Sequence, residues 1–238
     1  MLIGCWSPKG GAGVTVFTSA CALVASAGTD VVLVDPRGDA ALVLGVGAPI
    51  RGWRDVLLAD ELPVDAFGRI AVEVSTSLRL VGPGQRDEPS ESMAVEAPGR
   101  ASRRAMGPSI EALRATGALV FVDLGAASDP DTLALAKSLD ALVMVTRPCF
   151  LSYRRACAHD LTGRSFGAVL IDEPARALSA RDLESTIGLR VVARVAVRPD
   201  VSRAVDAGTL AHRIPEPLAR AARATLAALR TSMMRNAA

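Results

Sequence analysis

The sequence predicts a three-layer α/β/α fold built on a mostly parallel central sheet. Three observations carry that prediction. Short apolar runs of strand length recur along the chain and read as continuous rather than alternating, the pattern of strands covered on both faces. Segments of helical length separate them. Half of the 238 residues are apolar while only 3% are aromatic, so alanine and valine carry the core and helices pack closely on the sheet.

The elements follow in order. Residues 1–6 form a first buried strand, and residues 14–27, small and apolar, a helix packed on the sheet. Gly28 is placed to cap that helix, and residues 30–35 read as a second strand ending in the carboxylate of Asp35. Residues 78–81 form a further strand. Residues 118–125 are an apolar run closing on Asp123; 140–146 and 166–172 are two more, the latter ending in Asp172. At this length the chain is read as one domain, residues 1–238.

Between the first strand and the first helix lies Ser7-Pro8-Lys9-Gly10-Gly11-Ala12-Gly13-Val14-Thr15. This reads as a P-loop, G-x-x-x-x-G-K-[ST], with Gly13 and Thr15 in place and Pro8 at the first glycine position. Glycines let successive backbone N–H groups face phosphate oxygens, the lysine reaches the β and γ phosphates, and the hydroxyl meets Mg²⁺. Thr15 supplies that hydroxyl. Val14 stands where the lysine belongs.

Lys9 opens the string Lys-Gly-Gly-x-Gly, which resembles the deviant Walker A motif, K-G-G-x-G-K-[ST], of the ParA/MinD family of P-loop ATPases. The resemblance implies a P-loop NTPase fold, ATP and Mg²⁺ as cofactors, and a homodimer in which Lys9 reaches the partner's nucleotide. Residues 118–125 resemble the family's Walker B strand, whose aspartate, here Asp123, orients the Mg²⁺ shell. Residues 166–172 resemble the strand that usually ends in asparagine beside the adenine; here it ends in Asp172. Residues 129–146 and 187–208 resemble two further family segments. The likeness is weakest over 49–116. Residues 38–46 are similar to the segment after the second strand in the CpaE/TadZ branch, the positioning ATPases of Tad pilus systems.

The candidate site residues are therefore Asp35 and Asp123 as catalytic carboxylates, Thr15 and Asp123 as metal-binding groups, and Lys9, Gly10, Gly11, Ala12, Gly13, Val14, Thr15 and Asp172 around the nucleotide. The family's switch pattern, D-x-D, is curtailed at Asp35-Pro36-Arg37, so one carboxylate of a pair is missing. A charge-assisted hydrogen bond contributes roughly 1.5–3 kcal/mol, and losing the lysine weakens nucleotide binding by about one or two orders of magnitude. Hydrolysis suffers more, because phosphoryl transfer relies on positive groups meeting developing charge.

Composition excludes several functions. A net charge of +2 is too small to argue for nucleic acid. Four cysteines without metal-ligand spacing read as buried reduced thiols, and two histidines make a zinc site improbable. Without a leader or an apolar run near 18 residues, the chain is expected to be cytoplasmic. Basic residues are nearly all arginine; Lys9 and Lys137 are the only lysines.

Two segments bear on partners. Residues 82–104 are rich in Pro, Gly, Ser and charge, the composition of a long flexible surface loop. They serve either a partner, with Arg100, Arg103 and Arg104, or merely lead into a helix. Residues 215–235 repeat Leu218, Ala222, Leu226, Leu229 and Met233 at helical period. Such a basic amphipathic helix lies on a membrane or packs on the domain; the alanine-rich face and lack of an aromatic anchor favour packing.

Three functional readings follow. The favoured one is a degenerate ParA/MinD-like protein, cytoplasmic or peripheral to the inner face of the membrane. It positions or regulates a membrane-associated machine through a protein partner, with nucleotide weakly bound or unbound. The second is a dimerising ATPase in which another cation, with Arg37 nearest in sequence, replaces the lysine. The third is a DNA-partitioning ATPase, resting on analogy alone.

Overall fold

The computed structural model describes residues 1–59, 61–63, 65–84, 98–174 and 176–236. The chain runs β1 (Leu2–Ser7), α1 (Val14–Ala25), β2 (Val31–Val34), α2 (Asp39–Leu44), α3 (Trp53–Leu58), α4 (Ala66–Ile70), β3 (Val72–Ser75) and β4 (Leu78–Val81). It continues through α5 (Pro98–Ala115), β5 (Leu119–Ala126), α6 (Pro130–Lys137), β6 (Ala141–Thr146) and α7 (Phe150–Cys157). It closes with β7 (Ser165–Asp172), α8 (Ala180–Ile187), β8 (Val191–Ala196), α9 (Pro199–Asp206) and α10 (Glu216–Asn236).

The eight strands form one sheet in the order β3-β4-β2-β5-β1-β6-β7-β8. Every pairing is parallel except β3 with β4. The expected mostly parallel three-layer architecture is the one observed. Because side chains alternate across a strand, each strand feeds two cores. Leu2, Trp6, Val120, Val122 and Leu124 join residues of α3 to α8 on one face. Ile3, Cys5, Leu33 and Phe121 join α1, α2 and α10 on the other. By the same parity Asp35 and Asp123 point toward the α1 layer.

Several expectations need correction. Gly28 does not cap α1: the helix stops at Ala25, and Ser26, in an ordinary helical conformation, donates its N–H to Ala22 O. Of the segment read as a loop, 85–97 lies outside the described residues, while from Pro98 onward the chain is already helical in α5. The weakly patterned stretch 49–116 holds four elements that periodicity did not mark: α3, α4, β3 and most of α5. Cys5 and Cys21 are buried, as expected, and burial pushes the Cys5 thiol up to about 12. Cys149 is half-buried and Cys157 exposed, because each lies at an end of α7 rather than on its packed face.

Helix α10 packs along α1 and against β7 and β8. Leu218, Ala222 and Leu229 are buried there. The packing alternative therefore holds for most of the apolar face. Met233 is the exception, exposed near the end of the helix together with Met234.

Candidate functional site

The site is built where β1, β2 and β5 end side by side. The residues after β1 form the Gly-rich loop. Gly11 and Gly13 adopt left-handed φ of 74° and 83°, which glycine takes without strain. A Cβ added at Gly10, Gly11 or Gly13 would meet nothing within 4 Å, so the loop borders open space. Gly13 precedes α1 with no side-chain cap, and no acidic residue sits in the first turn. The first N–H groups of a 12-residue helix thus face an uncapped, open end, the arrangement that attracts an anion.

Val14 turns the other way. It is buried and belongs to the apolar cluster with Ile3, Cys5 and Phe17. A lysine's ammonium is replaced by a side chain that serves the core. Lys9 is half-buried, and its backbone is held by Ser7, whose Oγ donates to Lys9 O at 2.8 Å and accepts from Lys9 N at 3.3 Å. Its charge is felt at Cys149 before α7. That thiol is held below its ordinary value first by the backbone N–H of Ser152, with Lys9 a smaller contributor.

The carboxylates stand on the β5 side. In the β2–β5 ladder Val34 pairs with Val122, so one step further Asp35 stands beside Asp123. Both are buried. Asp35 Oδ1 accepts from Arg37 N at 2.9 Å and Oδ2 from Ala40 N at 2.7 Å, which ties the carboxylate to the start of α2. Asp123 Oδ1 accepts from Gly125 N at 2.8 Å, but its Oδ2 is buried without a hydrogen-bond partner among the described residues. Burial, and secondarily the Asp35 charge, push the Asp123 carboxyl up to about 6. The Thr15 hydroxyl, the Gly125 amide and Arg37 act in the opposite direction. Thr15 and Asp123 are thus brought together as the motif required.

This arrangement fits a divalent cation and a phosphate. A buried, unpartnered carboxylate oxygen beside a second acid and a hydroxyl is short of positive charge, and hard cations take such oxygens. When bound, Mg²⁺ would supply charge to phosphate oxygens, held by Thr15 and Asp123. Among the described residues no preformed cluster of three or more metal-ligating side chains occurs.

Asp172 behaves differently. It ends β7, two strands from β1, and forms an ion pair with Arg194 of β8 at 2.5 Å. Next to it Glu173 pairs with Arg147 and Arg176, both at 2.5 Å. A separate cleft of about 590 Å³ between α9 and the start of α10 holds none of the residues expected at the site. Sequence reading missed the surroundings of Arg37: its Nη2 donates to Ala126 O at 3.1 Å and Leu124 O at 3.4 Å and pairs with Asp129 at 3.6 Å. The glycine following Asp123 and Leu124 is the only linear trace of that contact.

The eight-stranded, mostly parallel sheet with helices is the fold of solved ParA and MinD structures. The chain shares it with a ParA family ATPase from Chlorobium tepidum TLS, at a TM-score of 0.71 and 21% identity, over 93% of this chain and 96% of that one. It matches the MinC:MinD cell division protein complex of Aquifex aeolicus at 0.74 and 18%, over 97% and 95%. It also matches the septum site-determining protein MinD complexed with Mg-ADP from Pyrococcus horikoshii OT3 at 0.72 and 17%, over 94% and 93%. No protein-family model and no curated sequence matches the chain. Among the described residues, no helix is long and apolar enough to cross a membrane.

Proposed function

We propose that this chain is a degenerate ParA/MinD-like protein that positions or regulates a membrane-associated machine through protein contacts, its pocket binding Mg-ATP weakly and hydrolysing it slowly or not at all. The observation that carries the reading is Asp123 Oδ2, buried and unpartnered beside Thr15 at an open Gly-rich loop, while Val14 is turned into the core. Metal-binding groups remain where the phosphate-gripping ammonium is gone. Shared fold supports the positioning role, since the structures it matches include a ParA ATPase and a MinC:MinD cell division complex. The whole chain acts as one such unit, with at most a weak nucleotide-dependent homodimer. The likeness of residues 38–46 to the CpaE/TadZ branch points to a pilus or secretion machine. With the inner face of α10 packed on α1, recruitment to the inner face of the membrane runs through a partner protein rather than through that helix.

Light scattering with and without Mg-ATP, run beside a phosphate-release assay, tests this. The expected result is no turnover above background and at most a weak nucleotide-dependent dimer. Sustained phosphate release that disappears in Asp123→Ala would overturn the degenerate reading in favour of a working ATPase.

A further inference from the structure

We propose that Arg37 is the phosphate-facing cation of this pocket, taking over the charge that Val14 removes; the inference rests on the nucleotide-binding reading above. Its position comes from two turns. The Asp35 carboxylate accepts the Arg37 N–H at 2.9 Å, which turns the chain after β2 so that the side chain crosses the end of β5. There Nη2 donates to Ala126 O at 3.1 Å and Leu124 O at 3.4 Å and meets Asp129 Oδ2 at 3.6 Å.

Gly125 makes room for it. A Cβ at that position would lie 2.5 Å from Arg37 Nε and 2.9 Å from Cδ, and the backbone there has φ +56°. The guanidinium therefore rests on bare backbone between Asp123 and Ala126. The β1–β5 register sets Trp6 beside Gly125 and Ser7 beside Ala126, so the backbone that carries this charge lies one strand spacing, ~5 Å, from the strand end that opens the Gly-rich loop. Its field lowers the Asp123 carboxyl.

The guanidinium is also uncommitted. Of its five N–H donors, only those on Nη2 have partners among the described residues; Nε and Nη1 have none. Its side chain is 42% exposed. Arginine's planar fork suits phosphate oxygens, and the two carbonyls and Asp129 hold it at the carboxylate end of the loop before any anion arrives.

Calorimetric titration of Mg-ATP into five proteins tests the assignment: native, Arg37→Ala, Arg37→Lys, Val14→Lys, and Val14→Lys combined with Arg37→Ala. Amide exchange of residues 124–129 in the ligand-free proteins is recorded alongside. Arg37→Ala is expected to weaken binding about 10- to 100-fold, Arg37→Lys to keep most of the affinity, and the double variant to recover it. Native-like affinity in Arg37→Ala overturns the proposal. So does faster exchange at 124–129 in Arg37→Ala with no rescue in the double variant, which would mark a mere staple between two loops. Native protein that does not bind while Val14→Lys does overturns the role of Arg37 and leaves the pocket standing; binding by neither removes the pocket itself.

Discussion

Two of the parallel strands carry acids in their C-terminal halves, and the fold treats the two sites oppositely. In β5, three residues before its end, Asp123 is buried next to Asp35 and keeps one oxygen without a hydrogen-bond partner among the described residues. At the end of β7, Asp172 pairs with Arg194, and Glu173 with Arg147 and Arg176. Burial pushes the Glu173 carboxyl up, but the two guanidiniums outweigh it and hold it below its ordinary value. One end stores uncompensated negative charge and the other has settled it internally. A structure stabilised for its own sake would look like the second end; the first leaves a carboxylate oxygen for the cation proposed above.

The contrast has opposite signs in pH. The folded-state value of Asp123, about 6, lies above the unfolded one, so its contribution to stability is full below about pH 4 and lost as pH rises through 6. The cost of the ionised form is roughly 3 kcal/mol. Asp123→Asn should therefore stabilise the ligand-free protein at pH 8 by up to about 3 kcal/mol, or ~6–12 °C in Tm for a chain of this size. The gain should shrink toward pH 5. Thermal melts across that range check it, and a variant less stable than native at pH 8 would break the contrast.

Gly125→Ala comes next. A residue forced to positive φ costs about 1–2 kcal/mol, and its Cβ must also displace Arg37, so urea melts should show a loss of about 2 kcal/mol. At the other end, Glu173→Gln should cost about 1 kcal/mol at pH 7. Because the Glu173 value is lowered, that contribution is present above the unfolded carboxylate range and lost as pH falls below it, the reverse of Asp123. Melts at pH 7 and pH 3 would show whether the sign is right. Smallest of all, Arg194→Ala removes a pair whose side chains are 58% and 35% exposed, and a change within ~1 kcal/mol is expected; a larger one would mean that the β7 edge is not merely surface.

Much of this was legible in the chain. Buried parallel strands announce themselves as apolar runs, and Asp123 is visible at the end of one because nothing else explains a carboxylate there. Thr15 and the loop glycines follow from motif spacing. Within residues 49–116 only β4 was legible, since α3, α4 and the edge strand β3, of six, five and four residues, are too short for a period to show. Arg37 was named only for standing near the motif; its contacts reach residues 87 and 89 positions away, which no local pattern encodes. The direction of Val14 was hidden too, because a motif gives the residue at a position and not the side to which it turns.

The proposed pocket keeps its metal end and has lost most of its grip on phosphate. Titration of Mg-ATP into the native protein and into Val14→Lys tests this most directly. The lysine's stem can take the place of valine in the core while its ammonium reaches the open loop, so the prediction is weak binding by the native chain and a gain of about 10- to 100-fold in the variant. No binding by either protein, or equal affinity in both, would contradict it.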